Sequence, residues 1–189
     1  MLPRLAAVFI AERPTFVSRA VPSAFLKFGG LEGDRHSGIS RPSCSRTPWH
    51  KRGTEIANTR QISLVAIEDC REIALRLGVP SVDPRLLGAN LLLEGIEQFT
   101  ALPPSTRLQF PSGATLFITE ENRPCRLPGR ELALEYNEPR FEMLFPKVAA
   151  GLRGVVALVE SPGEVAAGDA CRVIIPAAVR ESLGLRLGS

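Results

Sequence analysis

The sequence is poor in the residues that mark specialised classes. Only four of its 189 residues are cysteine (Cys44, Cys70, Cys125 and Cys171), far apart and without a CxxC pair. That spacing argues against both a disulfide framework and a zinc ribbon. No apolar run approaches the ~20 residues needed to span a bilayer. The first apolar stretch, residues 5–11, is stopped by Glu12, Arg13 and Pro14 and lacks a small-residue cleavage pattern. It reads as a strand rather than a secretory signal, so no membrane partner is expected and a cytoplasmic location is the simplest expectation. Neither a Gly period nor a sustained heptad is present, which removes the collagen-like and coiled-coil classes. A net charge of +3 is too mild to argue for nucleic acid. Lysine is scarce as well: Lys27, Lys51 and Lys147 are the whole complement, against 23 basic residues in total.

What remains is ordinary globular usage, 44% hydrophobic and 23% charged, with 16 Gly and 16 Pro. At this length roughly 70% of the unfolded surface can be buried, so one domain over residues 1–189 needs no disulfide or structural metal to hold it. The positive charge is unevenly placed. Between Arg35 and Arg60 stand Arg35, Arg41, Arg46, Lys51, Arg52 and Arg60 against the single acid Glu55, together with both histidines, His36 and His50. Arginine suits bidentate capture of phosphate or carboxylate. Residues 36–58 show no periodicity, and a connection of that length is either functional or a disordered linker. Trp49 and the two histidines favour an ordered cover over a ligand.

Short apolar strands separated by turns dominate the rest. Residues 5–11, 15–21 and 61–66 read as strands. Residues 68–77 place Cys70, Ile73, Ala74 and Leu77 on one helical face, with Glu68 and Asp69 in the first turn and Gly78 and Pro80 as the stop. A turn over 83–88 leads to an apolar strand over 89–93. Residues 107–110 and 114–119 flank Pro111, Ser112 and Gly113 as a hairpin. Phe141, Leu144, Phe145 and Val148 recur at helical spacing between Pro139 and Leu152, with Pro146 as an interruption. Strands over 154–160 and 170–175 enclose a turn-rich 161–169, and residues 177–189 form a short helix or fray. Strands outnumber helices without a regular βαβ alternation. The expectation is therefore a mostly β (α+β) fold: a closed or nearly closed antiparallel barrel with two or three peripheral helices.

Cys125 lies in Asn122-Arg123-Pro124-Cys125-Arg126, where Pro124 ends the preceding strand. A cysteine at a strand end between two arginines stands in a setting that favours the thiolate, which is both nucleophile and metal ligand. It could bind a soft metal, hold a persulfide, attack an electrophile, or be inert. Cys70 and Cys171 read as small core residues. His36, Cys44 and His50 match no standard zinc spacing. Gly33-Asp34-Arg35-His36 reads as an anion-binding turn or a solvated one. Asn90, opening an apolar strand, must hydrogen-bond to something if it is buried, whether a backbone turn or a ligand.

Taken in order, Gly33-Asp34-Arg35-His36, Arg60-Gln61-Ile62-Ser63-Leu64-Val65, Leu87-Gly88-Ala89-Asn90-Leu91, Asn122-Arg123-Pro124-Cys125, Gly154-Val155-Val156-Ala157 and the turn closing on Gly168-Asp169 form a series. The series resembles the MOSC domain, the family named from the C-terminal domain of molybdenum cofactor sulfurases, in its small stand-alone form. It covers residues 28–173. The resemblance implies a β-barrel, binding of a molybdenum cofactor of the molybdopterin type, and a functional cysteine at Cys125 that ligates molybdenum or carries sulfur. In that setting Arg35, Arg60, Asn90, Asn122 and Arg123 are expected to hold the cofactor, and His36 to serve as a proton donor. It implies reduction of N-hydroxylated compounds with an electron-transfer partner. The alternative it implies is a non-catalytic persulfide or cofactor carrier acting with a pyridoxal-phosphate cysteine desulfurase, whose cofactor must come from that partner. The chain departs from the pattern at Ala89, where an acid is common, and at Asn122, where a basic residue is common.

Overall fold

Residues 62–66 (ISLVA) are buried along their whole length, because both faces of this strand are covered. Ile62, Leu64 and Ala66 enter one apolar core, while the intervening Val65 enters a second. The period-two geometry of a strand thus separates two layers.

The computed structural model describes residues 2–182. Its elements run β1 (Arg4–Ile10), β2 (Arg19–Val21), β3 (Ser23–Lys27), β4 (Gly30–Leu31), β5 (Ser40–Pro42), β6 (Glu55–Ala57), β7 (Ile62–Ala66), α1 (Ile67–Leu77), β8 (Leu91–Glu94), β9 (Arg107–Gln109), β10 (Thr115–Glu121), α2 (Arg126–Glu135), α3 (Phe141–Val148), β11 (Val155–Ser161), β12 (Gly163–Ala166), β13 (Arg172–Ile174) and α4 (Ala177–Ser182). An eight-stranded sheet has the order β13-β9-β10-β11-β7-β8-β1-β2; β12-β3-β4 form a second sheet, and β5-β6 a separate hairpin. The first core lies between the large sheet and the small one, where Leu26, Leu31 and Val165 meet Leu5, Leu64 and Leu116. The second lies under α1, α2 and α3, where Ile73, Leu132 and Phe145 meet Phe9 and Val65.

The fold is α+β, and the expected closed or nearly closed antiparallel barrel is not found. The large sheet is open, ending at β13 and β2, and it is mixed: β7 and β8 pair in parallel. A parallel pair needs a crossover, and α1 supplies it. The strand, helix and strand over 61–93 are each legible in the sequence, but their union as one βαβ unit is what breaks the antiparallel order. Two further corrections follow. The expected strand over 15–21 is limited to β2, and the turn-rich 161–169 contains β12, paired with β3. The helix α2 was not expected at all. Residues 183–189 of the expected tail lie outside the described residues.

Gly154 fixes how closely the sheet packs at the start of β11. Its φ is 79°, and a Cβ there would lie 1.9 Å from the Leu64 carbonyl oxygen. Its amide donates to Thr100 Oγ1 and its carbonyl accepts from the Asn122 amide. Gly154→Ala is expected to lower unfolding free energy by roughly 3 kcal/mol, from the left-handed backbone together with overpacking. Urea denaturation measures this; an unchanged midpoint would contradict the packing argument.

Candidate functional site

The first constraint on the site is the buried Asp34 carboxylate. It accepts hydrogen bonds from the Ala11 amide at 2.8 Å, the His36 amide at 2.8 Å, His36 Nδ1 at 2.8 Å and Asn90 Nδ2 at 2.7 Å. Burial by itself raises this carboxyl, yet the hydrogen bond and charge of His36, with the two amides, hold it below the usual carboxylate range. Asn90, fully buried, completes the junction: its Oδ1 accepts from the Ser63 amide at 2.9 Å, and its backbone joins β7 and β1. The need of Asn90 for partners is met by Asp34 and by backbone. It holds the turn that presents Arg35 and His36.

That turn borders a cavity of about 370 Å³. Six of the seven expected site residues line it: Arg35, His36, Arg60, Asn122, Arg123 and Cys125. Asn90 does not reach it. Cys125 caps the N-terminus of α2 and is half-buried; a helix N-terminus favours a negative group. Asn122 is held between its Nδ2 bond to Ser63 Oγ and its Oδ1, which accepts from Arg60 Nη2 at 2.9 Å. Arg60 also pairs with Glu120 at 2.6 Å. With its Nδ1 on Asp34, His36 has Nε2 as the ring nitrogen available to the cavity.

The loop over 36–58 is ordered. The β5–β6 hairpin forms its stem, Asn58 Nδ2 clamps its base by donating to the His36 and Gly38 carbonyls, and Arg46 Nη1 donates to the Arg123 carbonyl at 3.0 Å. This last bond closes the loop over the Cys125 segment. Arg41, Arg46 and Cys44 therefore line the cavity, while Trp49 and His50 stand exposed at the tip. Among the described residues no cluster of three or more His, Cys, Asp or Glu is placed to hold a metal ion.

Sequence reasoning missed Arg153. It is 5% exposed and lines the cavity; its Nη2 donates to the Leu87 carbonyl, and its Nη1 has no partner among the described residues. Burial lowers its pKa to about 10, and the nearby Arg46 and Arg60 charges push the same way, while the Cys125 and Cys70 sulfurs oppose them. Nothing local in Leu152-Arg153-Gly154 signals this, because the burial comes from the packing of Gly154 on β7. With Arg13, the cavity is lined by seven arginines and, among the described residues, by no Asp or Glu. A buried cation without a carboxylate is costly unless an anion meets it.

The family model for the MOSC domain matches residues 51–172. The chain belongs to the MOSC family. A relative from Bacillus subtilis (strain 168), described as a putative metal-sulfur cluster biosynthesis protein, YuaD, is 41% identical over 174 residues, 92% of this chain and 91% of that protein. The crystal structure of the Bacillus subtilis YuaD protein superposes with a TM-score of 0.89, covering 92% of this chain and 96% of that one. YiiM from Geobacillus stearothermophilus, at 12% identity, shares the fold with a TM-score of 0.62 over 92% of this chain and 75% of its own. The match begins at residue 51, so much of the cavity wall of this MOSC protein, Arg13, Arg35, His36, Arg41, Cys44 and Arg46, lies ahead of it. No helix among the described residues is long and apolar enough to cross a membrane.

The Asp34 junction has a measurable consequence. Since its carboxyl is held below the usual value of 3.8, its contribution to stability is present above that pH and is lost as pH falls through the lower folded value. Asp34→Asn turns one acceptor oxygen into a donor that faces other donors, with an expected loss of about 3 kcal/mol at neutral pH. Urea midpoints should show the wild type losing part of its stability below about pH 4, and the variant lacking that part of the slope.

Proposed function

We propose that this MOSC protein binds an anionic molybdenum cofactor of the molybdopterin type in the arginine-lined cavity, with Cys125 as its soft sulfur ligand. The observation that carries the reading is Arg153, a buried guanidinium in the cavity wall whose Nη1 has no partner among the described residues, where the described lining holds seven arginines and no carboxylate. The donor set fits the group. Arg35, Arg41, Arg46 and Arg153 suit a phosphate, and a cysteine thiolate suits a soft metal. The volume falls within the ~300–1,000 Å³ usual for cofactor sites.

Each residue then has a task. Arg60, positioned by Asn122 and Glu120, and Arg123 at the rim bind and orient the anionic group. Arg153 supplies the deep cation. His36, held by Asp34, offers a proton from Nε2 toward a reacting oxygen. The loop clasp from Arg46 to the Arg123 carbonyl holds the basic loop against the Cys125 segment. When bound, the molybdenum centre supplies two-electron chemistry at an oxygen atom, so the expected activity is reduction of N-hydroxylated compounds with electrons from a partner protein.

A second reading is a persulfide carrier served by a pyridoxal-phosphate cysteine desulfurase. It is favoured by the presence of two thiols, Cys44 and Cys125, on one cavity, and by the description of YuaD as a metal-sulfur cluster biosynthesis protein.

Anaerobically purified protein should contain molybdenum and pterin in equal amounts, and Cys125→Ser should lose the metal. Protein whose Cys125→Ser form keeps its metal would remove the ligand role. Arg153 gives a test of opposite sign. Replacing a buried unpaired cation by an apolar side chain, Arg153→Met, should raise the unfolding free energy of ligand-free protein by at least about 1 kcal/mol. It should also abolish the rise in melting temperature that molybdate or pyrophosphate gives the wild type. A variant less stable than the wild type and still stabilised by these anions would contradict the assignment.

A further inference from the structure

Of the four cysteines, two are removed from chemistry by their surroundings. Burial pushes the Cys70 and Cys171 thiols up to about 12, so they stay protonated inside the two cores. Cys44 and Cys125 are half-buried, and both line the arginine cavity.

They reach it from separate elements, Cys44 from the loop between β5 and β6 and Cys125 from the start of α2. The Arg46 clasp onto the Arg123 carbonyl ties these elements together two residues from each cysteine. Thr47 pins the Cys44 backbone, with its Oγ1 accepting from the Cys44 amide and donating to the Cys44 carbonyl, each at 3.1 Å. Arg41 Nη1 lies 3.7 Å from Cys44 Sγ. Burial raises the Cys44 thiol, but the Arg46 amide and the Arg41 and Arg46 guanidiniums outweigh it and lower the thiol overall. Arg153 adds an unpaired buried cation beside the Cys125 sulfur. A thiol lowered by its neighbouring arginines, a second thiol and a buried guanidinium that would stabilise a leaving anion therefore share one space.

We propose that Cys44 is the resolving thiol of a sulfide-releasing reaction in this cavity. The inference rests on the persulfide-carrier reading, in which Cys125 bears a sulfane sulfur. The Cys44 thiolate attacks Cys125 Sγ. The bond between Cys44 Sγ and Cys125 Sγ forms, the bond from Cys125 Sγ to the outer sulfur breaks, and its electron pair leaves with that sulfur as hydrosulfide. The outer sulfur is reduced and the two cysteines are oxidised to one disulfide, so the step balances without further reactant. Arg153 and Arg41 stabilise the departing anion and the attacking one. A thiol reductant then resets the pair. The product is one hydrosulfide per cycle, delivered inside an electropositive cavity, and the consumer must be a reaction that incorporates sulfide.

The test uses the full chain, reduced, freed of reductant and loaded with inorganic polysulfide under anaerobic conditions. Peptide masses report sulfur on Cys125 and the disulfide, and a colorimetric assay reports released sulfide. The wild type should gain sulfur on Cys125, then release one sulfide per chain as a Cys44–Cys125 disulfide appears. Cys44→Ser should keep the sulfur on Cys125 and release sulfide at least about tenfold more slowly. Thermal denaturation checks that it is folded. Sulfur retained on Cys125 with release unchanged in Cys44→Ser overturns the role of Cys44 alone. Failure of Cys125 to take up sulfur in either protein overturns the carrier reading along with it.

Discussion

Taking a guanidinium out of water costs several kcal/mol unless an anion meets it, and at Arg153 the described residues offer only the Leu87 carbonyl. The packing that enforces this burial is specific: Gly154 brings β11 so close to Leu64 that no other residue fits, and Arg153 is carried inward with it. Six further arginines line the same space, and at Arg60, which burial holds below the usual arginine range against the pull of Glu120, the charges of Arg46 and Arg41 push the same way. Such a grouping is unfavourable on its own account. Under the proposed function the grouping is strain held for an anionic ligand, in the way that binding sites commonly trade stability for function.

The polar residues divide between two duties. Asp34, Asn90, Ser63 and Asn122 are buried and hydrogen-bond to each other, to the backbone and to the His36 and Arg60 side chains above them, which makes them a rigid floor. Arg35, His36, Arg60 and Cys125 stand on that floor and face the cavity. The floor joins segments from β1, β7 and β8 to the turn at Gly33, so the geometry of the rim is set by the middle of the sheet. Positions held by secondary structure are more precise than positions held by loops alone.

Much of this was legible in the sequence, and the gaps have identifiable causes. Periodicity located β1, β7, α1, α3 and the β9–β10 hairpin, because each is governed by its own local pattern. Pairing direction was not legible: residues 61–93 contain a strand, a helix and a strand, but only packing shows that β7 and β8 lie side by side in parallel, which opened the sheet that a strand count suggested was closed. The helix α2 was hidden by Pro128 and Gly129, both normally breakers. Proline is tolerated in a first turn, and Gly129 is needed because a Cβ there would meet the Phe141 carbonyl at 2.7 Å. At the site, Arg35, His36, Arg60, Asn122, Arg123 and Cys125 of the ordered motif series come together on one cavity. Asn90 lies behind the cavity wall, the series did not include Arg153, and Cys44 was weighed only beside His36 and His50 as a zinc set; the positions of Arg153 and Cys44 depend on long-range packing and on the loop clasp.

That clasp has a consequence for how the molecule comes into being. Arg46 grips a carbonyl 77 residues further along, and the remaining wall is drawn from Arg13 near one end and Arg153 near the other. During synthesis the early arginines emerge long before the strand that completes their enclosure, so the chamber takes shape only when the final third of the polypeptide has docked.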